Sequence, residues 1–350
     1  MKTFKLIRYL MIVALSITLV NCTSEYTAIP GQDGVDGVDG ADGVDGIDGE
    51  DAATAACVQC HSNSHREATL NSYGFSGHNN GFAWTFASVR GGDDPTNRCA
   101  QCHGETGYLD YITKGESHVD GYASPSPISC TTCHDKHSTF DFENDGHDYA
   151  LRTFDPVTLV IDGSTVLDFG GTSNNCITCH QPRSSYDIPG STGDYEITSK
   201  RFGPHHGPQS TMLEGIMGAH ISGTEAYPGV ASSTHRTGAS CVSCHMGASE
   251  DPSEGLHSWI PTDTGCVSCH ENGAPTEIAG WTADIATLKS LLEANNMFDA
   301  DGYYVPGTYS AELAQAAWNY KTLIEDNSKG IHNPAYAKAL LKNSIEALED

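Results

Sequence analysis

Cys130-Thr131-Thr132-Cys133-His134-Asp135-Lys136-His137 is the stretch from which the rest of the chain can be read. Its first five residues have the spacing Cys-x-x-Cys-His. The same spacing occurs at Cys57/Cys60/His61, Cys99/Cys102/His103, Cys176/Cys179/His180, Cys241/Cys244/His245 and Cys266/Cys269/His270. Two thiols two residues apart can form thioethers to the two vinyl groups of one porphyrin, which leaves the next imidazole facing the iron as proximal ligand. The six motifs, numbered one to six in chain order, therefore predict six covalently bound c-type haems. With 13 Cys and 17 His in 350 residues, roughly 0.02 such pentapeptides are expected by chance. Zinc sites or disulfides are the competing reading. Zinc ribbons, however, need paired Cys-x-x-Cys units to complete a tetrahedron, whereas here His follows every second cysteine directly.

The thirteenth cysteine is Cys22. Residues 1–21 carry Lys2, Lys5 and Arg8, then an apolar run from Tyr9 to Leu15, and close on Leu19-Val20-Asn21-Cys22. That is the layout of a secretion signal, and the last four residues resemble a bacterial lipobox, in which the cysteine becomes the lipidated first residue. Asn21 departs from the usual small residue there, which leaves an unmodified thiol as the other reading. Thr23 is not the Asp that retains lipoproteins in the inner membrane, so the resemblance implies an outer-membrane lipoprotein. From Gly31 to Asp51 the chain then reads as seven Gly-x-Asp triplets. An extended, self-repelling acidic spacer is favoured over a collagen-like trimerising stalk, because the triplets contain no proline. Calcium binding by these aspartates is a further reading that the residues allow.

The chain thus divides into a signal peptide (1–21), a lipid anchor and acidic tether (22–51), a hexahaem-binding region (52–280) and a C-terminal helical segment packing on it (281–350). Motif starts lie 42, 31, 46, 65 and 25 residues apart, with Gly, Pro, Asn, Asp and Ser between them. The expected fold is mostly loop and short α-helix wrapped around a packed haem array, with the haems serving as the core. A small β-hairpin is expected near 157–169, where two β-prone runs flank Asp162-Gly163. Three C-terminal helices are also expected. One runs from Trp281 to Asn296, with Ile285, Leu288, Leu291 and Leu292 on one face. The next runs from Ser310 to Asn327, with Leu313, Ala317, Tyr320 and Ile324 on one face, and Gly330 ends it. The last opens at Asn333-Pro334 as N-cap and first helical residue.

Eleven histidines remain after the six proximal ones His61, His103, His134, His180, His245 and His270. Such a surplus favours bis-histidine iron, closed to substrate and suited to electron transfer at low potential. His118, His235 and His257 lie a short loop upstream of a motif. His137 completes the quoted stretch, His78 sits in Ser-Gly-His-Asn-Asn, His205 follows Gly-Pro, and His332 lies in the turn between two helices. Seven candidates for six distal places leave one over. His65, His147, His206 and His220 are reserves, and Met212, Met217 and Met246 are less favoured axial alternatives. The four tryptophans, Trp84, Trp259, Trp281 and Trp318, are read as packing against porphyrin.

Formal net charge is −27, and removal of the three basic leader residues leaves −30. Nucleic acid and anionic membrane surfaces are excluded as partners. The 15 Lys and Arg beyond Cys22, Arg152, Arg183, Lys200 and Arg201 among them, are expected to engage haem propionates. The acidic surface suits a cationic shuttle, cationic metal species or a basic redox partner.

The six motifs, the quoted Cys130–His137 variant, the run Gly203-Pro204-His205-His206-Gly207-Pro208 and the lipobox together resemble bacterial multihaem c-type cytochromes of the outer membrane and cell surface. The resemblance implies extracellular electron transfer through the haems, with no catalytic residue. It also implies other redox proteins or identical subunits as partners, and a metal oxide or soluble shuttle as acceptor. Some members of the group form filaments. A second resemblance covers Ala317-Trp318-Asn319-Tyr320 through Ile331-His332-Asn333-Pro334, which looks like the helical tail of pentahaem nitrite reductases, where a His-Asn-Pro turn supplies a haem ligand. It implies His332 as a ligand. Those enzymes usually bind their catalytic haem through Cys-x-x-Cys-Lys, and this chain has no such motif. Reduction of a small nitrogen or sulfur oxyanion at one open haem is the alternative function.

Overall fold

The computed structural model describes residues 57–87, 99–117, 122–183 and 187–349. The leader and tether readings, with Cys22, lie outside these residues, as does His118. Residues from Cys57 onward form one unit.

The attachment motifs sit on short helical turns, for a reason visible in their spacing. Residues i, i+3 and i+4 of a helix share one face, so both cysteines and the histidine project the same way. Residues 57–61 are helical. Asn63–Gly74 forms α1, Gly77–Asn80 α2, Cys99–His103 α3, Glu105–Lys114 α4 and Cys130–Cys133 α5. Ser173–Ile177 is α6, Gln209–Glu214 α7, Thr234–Gly238 α8, Cys241–His245 α9 and Asp263–Cys266 α10. In motifs four and six the turn continues past the helix, with the His180 and His270 backbone N–H groups each donating to the carbonyl of the first cysteine at 2.9 Å.

Two motifs begin with a reciprocal cap. The Ser129 N–H donates to Thr132 Oγ1 at 2.9 Å, and the Ser240 N–H donates to Ser243 Oγ at 2.7 Å. A hydroxyl three residues into the helix thereby fixes where α5 and α9 start, and with it the direction of the thiols.

The expected hairpin is present. Val157–Thr158 (β1) pairs antiparallel with Val166–Leu167 (β2), and Asp162 accepts from the Ser164 and Thr165 N–H groups in the turn, both at 2.9 Å. A second two-stranded sheet, Asp194–Ile197 (β3) with Gly307–Ser310 (β4), goes beyond the sequence expectation. Its strands are far apart in sequence, so no turn signal announces them.

The C-terminal helices are Trp281–Ala294 (α11), Ala311–Glu325 (α12) and Pro334–Glu349 (α13). Ser310 Oγ caps α12 by accepting from the Leu313 N–H at 3.3 Å. Asn333 caps α13 by accepting from the Tyr336 N–H at 3.2 Å. α12 ends at Glu325, before the expected glycine. Gly330 instead takes φ +85° within the turn to α13, where the left-handed region favours glycine.

Two expectations about packing are corrected. First, α12 is not amphipathic in the surface sense. Ala314, Ala316, Ala317, Trp318, Asn319, Thr322 and Leu323 are all buried, so it is a central helix with neighbours on several sides. Second, the haems need not supply the whole core, because the chain has an apolar core of its own. Phe202, Met212, Leu288, Leu292, Met297, Trp318, Leu323 and Leu340 are among its buried members. Trp281 and Trp318 pack there, and the Trp318 indole N–H donates to the Met217 carbonyl at 2.9 Å. Small residues permit this closeness. A Cβ on Gly218 would lie 2.4 Å from a Leu340 methyl, so the loop can approach α13 only as glycine. Asn319, fully buried among these groups, is satisfied by the Ala219 backbone N–H and carbonyl at 2.7 and 2.9 Å and by Ser344 Oγ at 3.0 Å, which removes the penalty of burying its amide.

Candidate haem sites

Each motif histidine faces one histidine from elsewhere in the chain. The ring centres are 6.1 Å apart for His61 and His137, for His103 and His205, for His180 and His78, and for His270 and His235. For His134 and His257 the separation is 6.3 Å, and for His245 and His332 it is 6.2 Å. An imidazole nitrogen sits about 2.0 Å from a bound metal and about 1.1 Å from its own ring centre, so two imidazoles on opposite sides of one metal have centres about 6.2 Å apart. All six pairs match that separation, and no histidine is used twice. The residues therefore fit bis-histidine iron at every motif.

The surroundings fit as well. Large apolar side chains lie exposed close to the motifs, Phe82 at 73% and Phe140 at 77%, with Val58, Leu70, Phe75 and Val267. Within the C-terminal helices the large apolar residues are instead packed. Exposed apolar surface beside the motifs is what a porphyrin face would cover.

Among the described residues the motif cysteines form no disulfide, and the chain does not enclose them equally. Cys57, Cys60, Cys130 and Cys269 are exposed, whereas the other motif cysteines are half-buried. For Cys57, Cys60 and Cys269 the cause is position along the chain. Cys60 and Cys269 belong to the first and last motifs, whose turns are covered by little other chain, and residues 57–61 and 267–269 are exposed throughout. The Cys269 backbone N–H still donates to the Cys266 carbonyl at 3.1 Å, and Cys269 Sγ accepts from the Ser268 hydroxyl at 3.9 Å. The helical turn that aims the thiol is therefore kept at this outer site. Elsewhere the cysteines meet across motifs. Cys176 lies against Cys241, and Cys179 against Cys102. Motif four thus lies against motifs two and five.

The protonation states suit metal binding, since a ligating imidazole must be neutral. Burial lowers His78 to about 4, assisted by His180. Burial likewise lowers His257 to about 4, and it depresses His103 and His245. His332 goes the other way. Burial would lower it, but the Asp326 carboxylate beside it prevails and raises it.

Orientation comes from the second ring nitrogen. His134 Nδ1 lies 2.8 Å from the Tyr149 carbonyl, and His245 Nδ1 lies 2.8 Å from that of Trp259. His235 Nδ1 is 2.5 Å from the Ile331 carbonyl. His137 Nδ1 is 2.6 Å from Asp148 Oδ1, and His332 Nδ1 is 2.6 Å from Asp326 Oδ1. Each of these contacts places the proton on Nδ1 and leaves Nε2 free for a metal. No sequence signal singles out Asp148 or Asp326. An acidic residue six before His332 or eleven after His137 is no recognisable spacing, because the turn that closes each contact is set by the fold.

The reserve histidines have other partners. His147 stacks on Phe142 at 4.8 Å, His206 pairs with Glu325 at 2.5 Å, and His220 lies edge-on to Tyr227 at 4.2 Å, while the His65 backbone N–H donates to Ser62 Oγ at 3.3 Å. Met212 is fully buried in the apolar core. Arg152 is held by the Thr131 carbonyl at 2.7 Å and by Asp135 at 3.4 Å, and Lys200 lies over the Tyr303 ring at 4.4 Å. Trp259 packs against two distal candidates, its ring centre 4.5 Å from that of His78 and 5.4 Å from that of His257.

Residues 46–191, which contain motifs one to four, match the family model of outer membrane cytochrome MtrC/MtrF-like domains II/IV. Over that stretch the chain is a multihaem cytochrome of the outer-membrane kind. A covalently bound c-type haem is accordingly the cofactor of this cytochrome. No curated protein matches it. Among solved structures, the outer cell wall cytochrome OcwA is similar, with 21% identity and a TM-score of 0.48. The match covers 79% of this cytochrome and 49% of OcwA, so the chain spans about half the length of that relative.

Proposed function

We propose that this cytochrome is an electron conduit of six bis-histidine haems, anchored through Cys22 at the outer membrane and acting outside the cell. The six histidine pairs carry this reading. Each Cys-x-x-Cys-His would attach one haem and supply its proximal ligand. His137, His205, His257, His78, His332 and His235 would be the distal ligands of motifs one to six in that order. Bound in this way, haem iron accepts and releases single electrons and offers no coordination position to substrate. The chain's own contribution is orientation, through the Nδ1 contacts, and exclusion of water by the apolar residues around the motifs. Motif four touches motifs two and five through its cysteines, which supports short steps between neighbouring haems. The exposed cysteines Cys57, Cys60, Cys130 and Cys269 support the reading that the haems of motifs one, three and six lie nearest to solvent, where electrons would enter or leave.

Every motif histidine has a partner within the same chain, so no histidine need be donated by a second subunit. This favours a self-contained carrier that passes electrons to a metal oxide, a soluble shuttle, another redox protein or an identical subunit. The same completeness disfavours the oxyanion reductase, which needs one open iron. The strongly acidic chain, at −27, points to a basic or cationic partner.

The test is a haem count per chain together with low-temperature EPR of the ferric protein. Six haems, all low-spin, are expected. One high-spin haem, or carbon monoxide binding to the reduced protein, would return the reductase to first place.

A further inference from the structure

The six pairs differ in what holds their distal imidazoles, and the pair of motif five stands apart. His332 Nδ1 is hydrogen-bonded to Asp326 Oδ1 at 2.6 Å, and the Asp326 carboxylate is 1% exposed. The Ser328 hydroxyl also donates to that carboxylate, and among the described residues its ion pair is with His332. Across the gap, His245 Nδ1 donates to the Trp259 carbonyl at 2.8 Å, so both imidazoles of this pair are polarised.

The contrast within the molecule is clear. Asp148 also meets a distal imidazole, but its carboxylate is shared among the backbone N–H groups of Ser138 and Ala150 and the Ser138 hydroxyl, and the His61 opposite is exposed. His235 has a neutral carbonyl as partner. Among the described residues, buried His78 Nδ1 meets no hydrogen-bond partner.

We infer that Asp326 is a positioning residue that makes the iron between His245 and His332 the hardest of the six to reduce. Two effects act together. A carboxylate on Nδ1–H gives the imidazole imidazolate character, which makes it a stronger donor to ferric iron. The buried negative charge is also stabilised by the positive ferric centre and loses that partner on reduction. By the same reasoning the His180/His78 pair, with one unassisted imidazole, lies toward the easily reduced end. Adjacent motifs four and five thereby form a step in potential, directed by a single side chain. The inference rests on the bis-histidine reading above.

The test uses the full haem-loaded protein, with potentiometric titration followed by EPR. The motif-five signal is identified as the low-spin signal lost in His332→Ala. In Asp326→Asn that signal is expected to titrate at higher potential and to change its g-values, with the other five unmoved; Asp326→Glu is expected to restore much of the original behaviour. Ser328→Ala removes the competing hydroxyl, keeps the charge, and is expected to shift the same signal in the opposite direction, so it reads the contact even where Asp326→Asn folds poorly. An unmoved motif-five potential in both variants, or a uniform shift of all six, overturns the inference. Fewer than six low-spin signals in the unaltered protein would instead overturn the bis-histidine reading, before any variant is compared.

Discussion

His137 lies three residues beyond His134, yet its ring faces His61 of motif one, at 6.1 Å, while His134 faces His257. One eight-residue stretch therefore contributes imidazoles to two different sites. His137→Ala is expected to open the iron of motif one and leave that of motif three six-coordinate. EPR should show one high-spin haem, and carbon monoxide should bind at one haem in six. A high-spin haem at motif three would mean that the two histidines have exchanged roles.

Trp259 has φ +55°, an unfavourable backbone for a bulky residue. It holds that conformation while its ring touches His78 and His257 and its carbonyl accepts a hydrogen bond from His245 Nδ1. Trp259→Ala should cost about 2 kcal/mol for a half-buried aromatic side chain and broaden the signals of motifs three and four together. Trp259→Phe should retain most of both. Chemical denaturation and EPR of the two variants distinguish loss of packing from loss of ligation.

Trp318 is fully buried in the apolar core of the C-terminal half. Trp318→Ala is expected to cost about 3–5 kcal/mol. Because that core is built from side chains rather than porphyrin, a chain produced without haem should still protect the amides of α12 and α13 from hydrogen exchange. Uniform exchange along the haem-free chain would show that the core depends on the cofactor.

Glu105 links α4 to motif three. It accepts from Thr131 Oγ1 at 2.9 Å and Thr132 Oγ1 at 3.0 Å, and from Ser129. Partial burial pushes its carboxyl upward, but these hydroxyls outweigh the burial and hold it below the usual range. A carboxyl depressed in the folded state contributes stability above its unfolded pKa of about 4.3 and loses it as pH falls through the folded value. Glu105→Gln should remove that part of the acid sensitivity, visible as a flatter melting temperature below about pH 4.3.

Much of the site was legible because its chemistry is local. Cys-x-x-Cys-His is one helical turn, and Asn333-Pro334 and Ser310 announce helix starts by their own side chains. The hairpin at 157–167 was legible for the same reason. What could not be read depends on contacts distant in sequence. These include the pairing of His78 with His180, the strand partners Asp194–Ile197 and Gly307–Ser310, and the carboxylates at Asp148 and Asp326. The unequal cover over the thiols belongs here too, since Cys60 and Cys179 sit in identical motifs and differ only in what folds over them. In α12, Trp318 and Asn319 interrupt the apolar stripe. Only the loop at Met217–Ala219, folding over that face, explains why they are inside.

The turn between α12 and α13 holds two of the proposed distal histidines at once. His332 belongs to it, and the Ile331 carbonyl grips His235. These residues leave the ribosome after every attachment motif has been made. A chain cut by a protease before Ser328 would keep all twelve motif cysteines and still lose the restraint on two irons. On the bis-histidine reading, loss of this turn would open motifs five and six to small molecules such as oxygen.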